Sequence, residues 1–356
     1  MVDGRIVKIA NLLLEYSTEV RSDDKVLIYA DLAAKDLALE IYKNALIKGA
    51  YPWIRVEIPG RQYMFYKYAQ DKHIQFFPEI DMFEIKNTDV YIALRAPLNV
   101  KELSSIDPSK ISMRMKVLKP IFDWRVEKTR WVIFYCPTEG LAQEAGMSLQ
   151  EFEDFVFNAC LIDWRKTSME LHKIKDRLNR TDKVRIIGSN TDIEFSVKNR
   201  SAVVADGKRN MPDGEVFTSV IEDSVNGVIE FDIPAVFYGN IVEDIHLKFK
   251  DGVVTECKAR FNEVFLKKML NTDEGARRIG EFGIGLNYNI TRSVKEILFD
   301  EKIGGTIHLA LGRGYSETLS RNESAIHWDM IKDLRVNGEI YFDNELVMKD
   351  GKWFIL

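Results

Sequence analysis

Two histidines and one aspartate carry the most chemical information in this chain. The run Ala325-Ile-His-Trp-Asp-Met-Ile331 is apolar apart from His327 and Asp329. Such a run predicts a buried strand, in which residues i and i+2 point to one face. His327 and Asp329 then project together, with Trp328 and Met330 on the opposite side. A buried carboxylate is costly unless a cation sits beside it, and an imidazole and a carboxylate sharing a dry face suit a divalent metal. His308, nineteen residues upstream in Gly305-Thr-Ile-His-Leu-Ala-Leu-Gly312, has the same kind of setting, and its face is shared with the small residues Ala310 and Gly312.

Other polar groups could converge on that pair. Glu215 follows Asp213-Gly214 at the start of a short strand, a place where a solvated turn carboxylate is the ordinary reading. Glu281 is expected at the C-terminal end of a helix running from about 263 to 281. The helix macrodipole disfavours a carboxylate there, so Glu281 calls for a reason beyond helix stability. Tyr315 lies in the loop after the His308 strand, where it reads either as a loop aromatic or as a rim hydroxyl able to donate to a developing oxyanion. Asp206, Lys208 and Arg209 read as a polar hairpin, with Arg209 a lesser candidate for binding a substrate carboxylate. Two histidines, one aspartate and two glutamates make an N/O set for one or two divalent ions. Two ions a few ångströms apart can hold a bridging hydroxide and polarise a scissile carbonyl.

The elements that must position these groups fall into two patterns. Lys25–Ala30, Pro52–Ile58, Asp89–Leu94 and Trp131–Tyr135 are short β-branched and aromatic runs. Helical stretches separate them, clearest from Ala33 to Lys48, where Leu37, Leu39, Ile41, Ala45 and Leu46 supply the apolar face. That alternation predicts a doubly wound α/β domain over residues 1–180 with a parallel sheet. Ser148 and Glu151 form a capping-box pattern opening a helical segment toward Leu178. From about 181 to 356 strands dominate, at 183–187, 192–197, 228–233 and 245–249, so the second domain is β-rich and the chain as a whole α/β and α+β. Asp251-Gly252, Asn337-Gly338 and Asp350-Gly351 read as hairpin turns, and the chain closes as a meander. Gly283-Ile-Gly285 and Gly312-Arg-Gly314 are lone GxG pairs, better read as turns than as phosphate loops.

Composition sets bounds on function. The 356 residues allow two cores. A net charge of −5 gives no basic field for nucleic acid, and no apolar run reaches membrane-spanning length. The N-terminus begins in an amphipathic pattern rather than a signal peptide. Cys136, Cys160 and Cys257 are odd in number and lack CxxC spacing, as in a reduced, cytoplasmic protein. Dinucleotide, HExxH, GxSxG and Walker sequences are all missing.

Four separated segments, in one order, resemble the M29 family of metallo-aminopeptidases. They are Asp206-Gly-Lys-Arg-Asn-Met-Pro-Asp-Gly-Glu-Val-Phe-Thr218, Asp273-Glu-Gly-Ala-Arg-Arg-Ile-Gly-Glu-Phe-Gly-Ile-Gly-Leu-Asn287, Ile303-Gly-Gly-Thr-Ile-His-Leu-Ala-Leu-Gly312 and Asn322-Glu-Ser-Ala-Ile-His-Trp-Asp-Met330. Leu141-Ala-Gln-Glu-Ala-Gly-Met-Ser148 is similar as well. The resemblance implies an N-terminal α/β domain joined to a β-rich metal-binding domain. It implies metal ligands at Glu215, Glu281, His308, His327 and Asp329, with Tyr315 at the family's tyrosine. The expected activity is removal of N-terminal residues from peptides with a free α-amine. Two divalent ions (zinc, cobalt or manganese) would activate a hydroxide, Glu281 would accept its proton, and Tyr315 would stabilise the oxyanion. A cytoplasmic homodimer is the expected setting, with neither nucleic acid nor membrane as partner.

Two other functions compete. A mononuclear iron dioxygenase opening dihydroxypyridine rings would use His308, His327 and one carboxylate, leaving Glu215 and Glu281 in excess. A two-domain binding protein with a structural metal would favour a closed, thiolate-rich site.

Overall fold

The computed structural model describes residues 3–355. The chain divides into two compact units, Met1–Leu161 with Gly207–Pro212, and Ile162–Asp206 with Asp213–Leu356.

The first unit is built on a parallel sheet. Its order is Tyr51–Glu57, Lys25–Asp31, Val90–Arg95, Arg130–Tyr135 and the short Asn210–Met211 strand. In the Lys25–Asp31 strand Val26, Leu27 and Ile28 are all buried, as a sheet covered on both faces requires. The helix Lys35–Ile47 buries Leu37, Ile41 and Ala45, which follow one another at i+4. Leu39 and Leu46, expected on that face, are instead 59% and 50% exposed. Residue 39 lies about 200° round the helix from Leu37 at 3.6 residues per turn.

The Ser148 capping box is present, with Ser148 and Glu151 bonded reciprocally, but it caps only Leu149–Cys160. A second helix, Trp164–Leu178, starts at Asp163, whose carboxylate accepts the Lys166 N–H. The change in sequence pattern near residue 180 tracks strand content, whereas the packing boundary lies earlier. Leu171, Ile174 and Leu178 pack in the second unit's core with Val184 and Ile186.

That second unit holds two antiparallel sheets around one core. The larger contains Lys183–Gly188, Thr191–Ser196, Asn226–Phe231, Asn240–Lys250 and the closing meander Glu339–Phe342, Glu345–Lys349 and Lys352–Trp353. Asp251-Gly252 and Asp350-Gly351 both take positive φ, as hairpin turns do. Asn337-Gly338 does not, because only Asn337 is left-handed. Asp343-Asn344 makes the unexpected turn, with both residues at positive φ and no glycine.

The smaller sheet runs His327–Asp333, Thr306–Gly312, Ile279–Gly285, Glu215–Thr218, Val203–Ala205. Here the helix expected from 263 to 281 is corrected. It ends at Leu270, a single turn spans Gly275–Arg277, and Ile279–Gly285 is a strand. Gly283 and Gly285 therefore lie within a strand and not in a turn. The glycines mislead because they serve close packing: a Cβ at Gly280 would stand 2.2 Å from the Gly312 carbonyl oxygen. Among the described residues no helix is long and apolar enough to cross a membrane.

Candidate metal centre

One face of the smaller sheet collects the chemistry. Its register pairs Gly285 with Glu215, Glu281 with Ala310, Gly283 with His308, Ala310 with Asp329 and Gly312 with His327. Directly paired residues share a face, as do residues two apart on a strand. Glu215, Glu281, His308, His327 and Asp329 therefore all project to the same side. The intervening residues Val216, Phe282, Ile307, Leu309, Trp328 and Met330 enter the hydrophobic core behind them. Glycine and alanine at 283, 285, 310 and 312 keep the polar face open. Glu281 reaches it from the middle of a strand, so the argument from a helix terminus does not apply to it.

The side chains meet closely. His308 Nε2 lies 3.1 Å from Glu281 Oε1 and 3.6 Å from Glu215 Oε2. His327 Nε2 is 3.4 Å from Asp329 Oδ1. His327 Nδ1 lies 2.6 Å from the Arg313 carbonyl oxygen. That oxygen can only accept, so Nδ1 carries a proton and Nε2 is left facing Asp329, as second-shell hydrogen bonds do for metal-binding imidazoles. His308 is fully buried, and Glu215 and Glu281 nearly so.

Sequence reasoning missed two members of this cluster, Glu301 and Lys302. Both follow the helical turn Ile297–Asp300, which Asp300 fastens by accepting the N–H groups of Val294 and Lys295 and the Ser293 hydroxyl. Lys302 is fully buried; its Nζ donates to Glu215 Oε1 at 2.6 Å and to Glu301 Oε1, with Asp213 Oδ1 3.8 Å away. In sequence, Asp300-Glu-Lys302 looks like an ordinary solvated charge run. Its one signal is its place between apolar Ile297-Leu-Phe299 and Ile303-Gly-Gly305.

The electrostatics are those of an acidic, desolvated pocket. Burial raises the carboxyls of Glu215 and Glu281 above their ordinary value, though Lys302 and His308 pull the other way. Burial would lower both imidazoles, but the carboxylates outweigh it and raise His308 to about 9 and His327 to about 10. Asp329 is also buried, yet His327 beside it holds its carboxyl well below the usual range.

The donors fit a divalent metal. Glu215 Oε2, Glu281 Oε2 and Asp329 Oδ1 are buried without a hydrogen-bond partner, a costly state that a bound cation relieves. Two groups have ligand atoms within 4.8 Å of one another: Glu281 with His308 and Asp329, and Glu215 with Glu301 and His308. Tyr315 stands at the rim, 39% exposed, with its ring centroid 5.0 Å from that of His327 and 6.0 Å from that of Phe217. Burial and the Glu281 and Asp329 charges raise its pKa, so its hydroxyl remains a donor at neutral pH. Outside the cluster, His172 bonds the Ser168 carbonyl on an exposed helix face and His246 pairs with Glu230 on a strand. Cys136, Cys160 and Cys257 are not joined in disulfides.

Comparison with known proteins finds similarity along nearly the whole chain. The family model described as thermophilic metalloprotease (M29) matches residues 2–353. Aminopeptidase 2 of Geobacillus stearothermophilus is 26% identical over 401 residues, covering 97% of this chain and 94% of that protein. Aminopeptidase AmpS of Bacillus subtilis (strain 168) is 25% identical, covering 97% of each. The structure of wild-type AmpT from Thermus thermophilus shares the fold, with a TM-score of 0.86 at 22% identity over 98% of this chain and 99% of that one. A 2,5-dihydroxypyridine dioxygenase from Pseudomonas putida KT2440 shares it less closely, with a TM-score of 0.66 at 14% identity over 99% and 98%.

Proposed function

The chain belongs to the M29 family of thermophilic metalloproteases, and on that footing we propose that it is a metal-dependent aminopeptidase releasing N-terminal residues from peptides. The observation that carries this reading is the set of unpartnered buried oxygens on Glu215, Glu281 and Asp329 around His308. Family membership and aminopeptidase relatives along nearly the whole chain support peptide hydrolysis as the chemistry.

Glu215, Glu281, His308, His327 and Asp329 are the proposed ligands, and Glu301 joins them from the structure. The expectation of two ions meets two donor groups sharing His308, and it meets Lys302 within one of them. Divalent ions held there would act as Lewis acids on water and on the scissile carbonyl.

The chain's own residues divide the remaining work. Glu281 Oε1 faces His308, which leaves Oε2 to take the proton from the attacking water. The Tyr315 hydroxyl at the rim donates to the oxyanion that develops on the substrate. Excess carboxylate on this face attracts the substrate's α-ammonium group, which accounts for specificity toward free N-termini.

The dioxygenase reading rests on a fold likeness alone, and a cluster with four carboxylates exceeds what one iron in a two-histidine, one-carboxylate site needs. Mass spectrometry of a leucyl peptide after incubation tests the proposal. Release of free leucine with the shortened peptide is the expected result. Oxygen uptake on a dihydroxypyridine, with peptides untouched, would replace it with the dioxygenase.

A further inference from the structure

The oxygens of the cluster are divided between two cation positions, and one of these already contains a cation. Glu215 Oε1 and Glu301 Oε1 both accept from Lys302 Nζ, and Asp213 Oδ1 lies 3.8 Å behind it. Glu215 Oε2, Glu281 Oε2 and Asp329 Oδ1, which have no hydrogen-bond partner, belong to side chains that face His308 and His327. Glu215 thus presents one oxygen to an ammonium and the other toward His308.

Nothing about Lys302 suggests a surface side chain folded inward by chance. It is fully buried, and burying an ammonium is tolerated only with charge partners and satisfied donors. Its backbone is fixed at both ends: Lys302 N donates to the Phe299 carbonyl and Lys302 O accepts from Asn287 N, each within 3.1 Å. Asp300 secures the turn that delivers it. A divalent ion bound by Glu215 Oε1 and Glu301 Oε1 would have to displace this buried ammonium and leave it only the more distant Asp213 among its present carboxylate neighbours.

We propose that Lys302 serves as the second cation of the centre, so that each chain holds one divalent ion, at the group formed by Glu281, His308 and Asp329, beside a permanent ammonium. The inference rests on the proposed metal reading and narrows it to a mixed pair of one metal and one lysine. Lys302 fixes the Glu215 and Glu301 carboxylates and supplies, from the chain itself, positive charge that a second ion would otherwise bring.

Metal stoichiometry tests this without reference to activity. The full-length protein is stripped with chelator, reloaded with excess Mn²⁺, desalted, and assayed by elemental analysis and electron paramagnetic resonance. One ion per chain with an uncoupled mononuclear Mn²⁺ signal is expected. Lys302→Met and Lys302→Asn should each take up two ions and show a spin-coupled pair. Two tightly held, coupled ions in the unaltered protein would overturn the role of Lys302 and leave the metal reading intact. No retained ion at all would overturn the metal reading itself. Folded variants that still hold one ion would also overturn the proposal. Should both variants fail to fold, the unaltered protein's stoichiometry and spin state still decide.

Discussion

Gly283 lies directly beneath the imidazole of His308. The two are paired across neighbouring antiparallel strands, and a Cβ on residue 283 would stand 2.0 Å from both Cε1 and Nε2 of that ring. The absent side chain is what lets His308 lie flat over its neighbour and aim Nε2 at Glu281 and Glu215.

Gly283→Ala should therefore turn or displace the ring while the strand persists. Overpacking of this kind costs about 1–3 kcal/mol, and disturbing a ligand's orientation typically lowers metal affinity roughly 10–100-fold. Metal titration beside circular dichroism checks this. Gly4→Ala, at a site with nothing within 4 Å of the new Cβ, serves as the control and should leave affinity unchanged. Equal affinity in the two variants would mean that His308 does not need its position.

Glu281→Gln should lower hydrolysis by about 10²–10⁴-fold, the usual worth of a positioned acid–base group, and His327→Ala should remove most of it by taking away a proposed metal ligand. His172→Ala and His246→Ala should retain it, since both side chains lie away from the acidic cluster. If either control lost as much activity as His327→Ala while still folded, the proposed ligand set would be wrong.

Tyr315→Phe should keep its metal and its ring contacts with His327 and Phe217. Losing one oxyanion donor costs on the order of 10²–10³ in kcat, and an interaction made only in the transition state leaves KM nearly unchanged. Loss of metal from the variant would make Tyr315 a ligand instead, and an unchanged kcat would make it a bystander.

Asp273 ties the turn before the Glu281 strand to the segment before the His327 strand. Its carboxylate accepts the N–H groups of Ala276 and Ala325 and the Ser324 hydroxyl, all within 2.8 Å. Burial pushes its pKa up, but these bonds outweigh burial and lower it below its ordinary 3.8. A depressed folded-state pKa gives stability that is present above pH 3.8 and lost as pH falls through the folded value. Asp273→Ala should cost about 1–3 kcal/mol at pH 7, read from urea midpoints, and the gap should shrink in acid below pH 3.8. A gap independent of pH would show that the ionised carboxylate is not what holds the two segments.

Much of this arrangement was legible in the sequence, because strand alternation is a local property. His308, His327 and Asp329 announced themselves as polar residues at period two in otherwise apolar runs. Glu281 was singled out for the wrong reason: helix-favouring residues ran on through Arg277-Arg278, and glycines that serve close strand packing looked like breakers. Glu301 and Lys302 were illegible for the opposite reason. Their meaning depends on contact with Glu215, more than eighty residues earlier in the chain, and no local pattern separates a buried Glu-Lys pair from a solvated one. The same limit hid Asp343-Asn344, where two residues other than glycine make a left-handed turn.

The most direct test compares kcat/KM for leucyl-anilide and acetyl-leucyl-anilide, in chelated protein and after zinc, cobalt or manganese is restored. Chelated protein should be inactive, metal should restore cleavage, and acetylation should lower kcat/KM by about a hundredfold or more, as expected when roughly 3 kcal/mol of amine recognition is removed. Hydrolysis that persists in metal-free protein, or equal turnover of the free and acetylated substrates, would contradict the assignment.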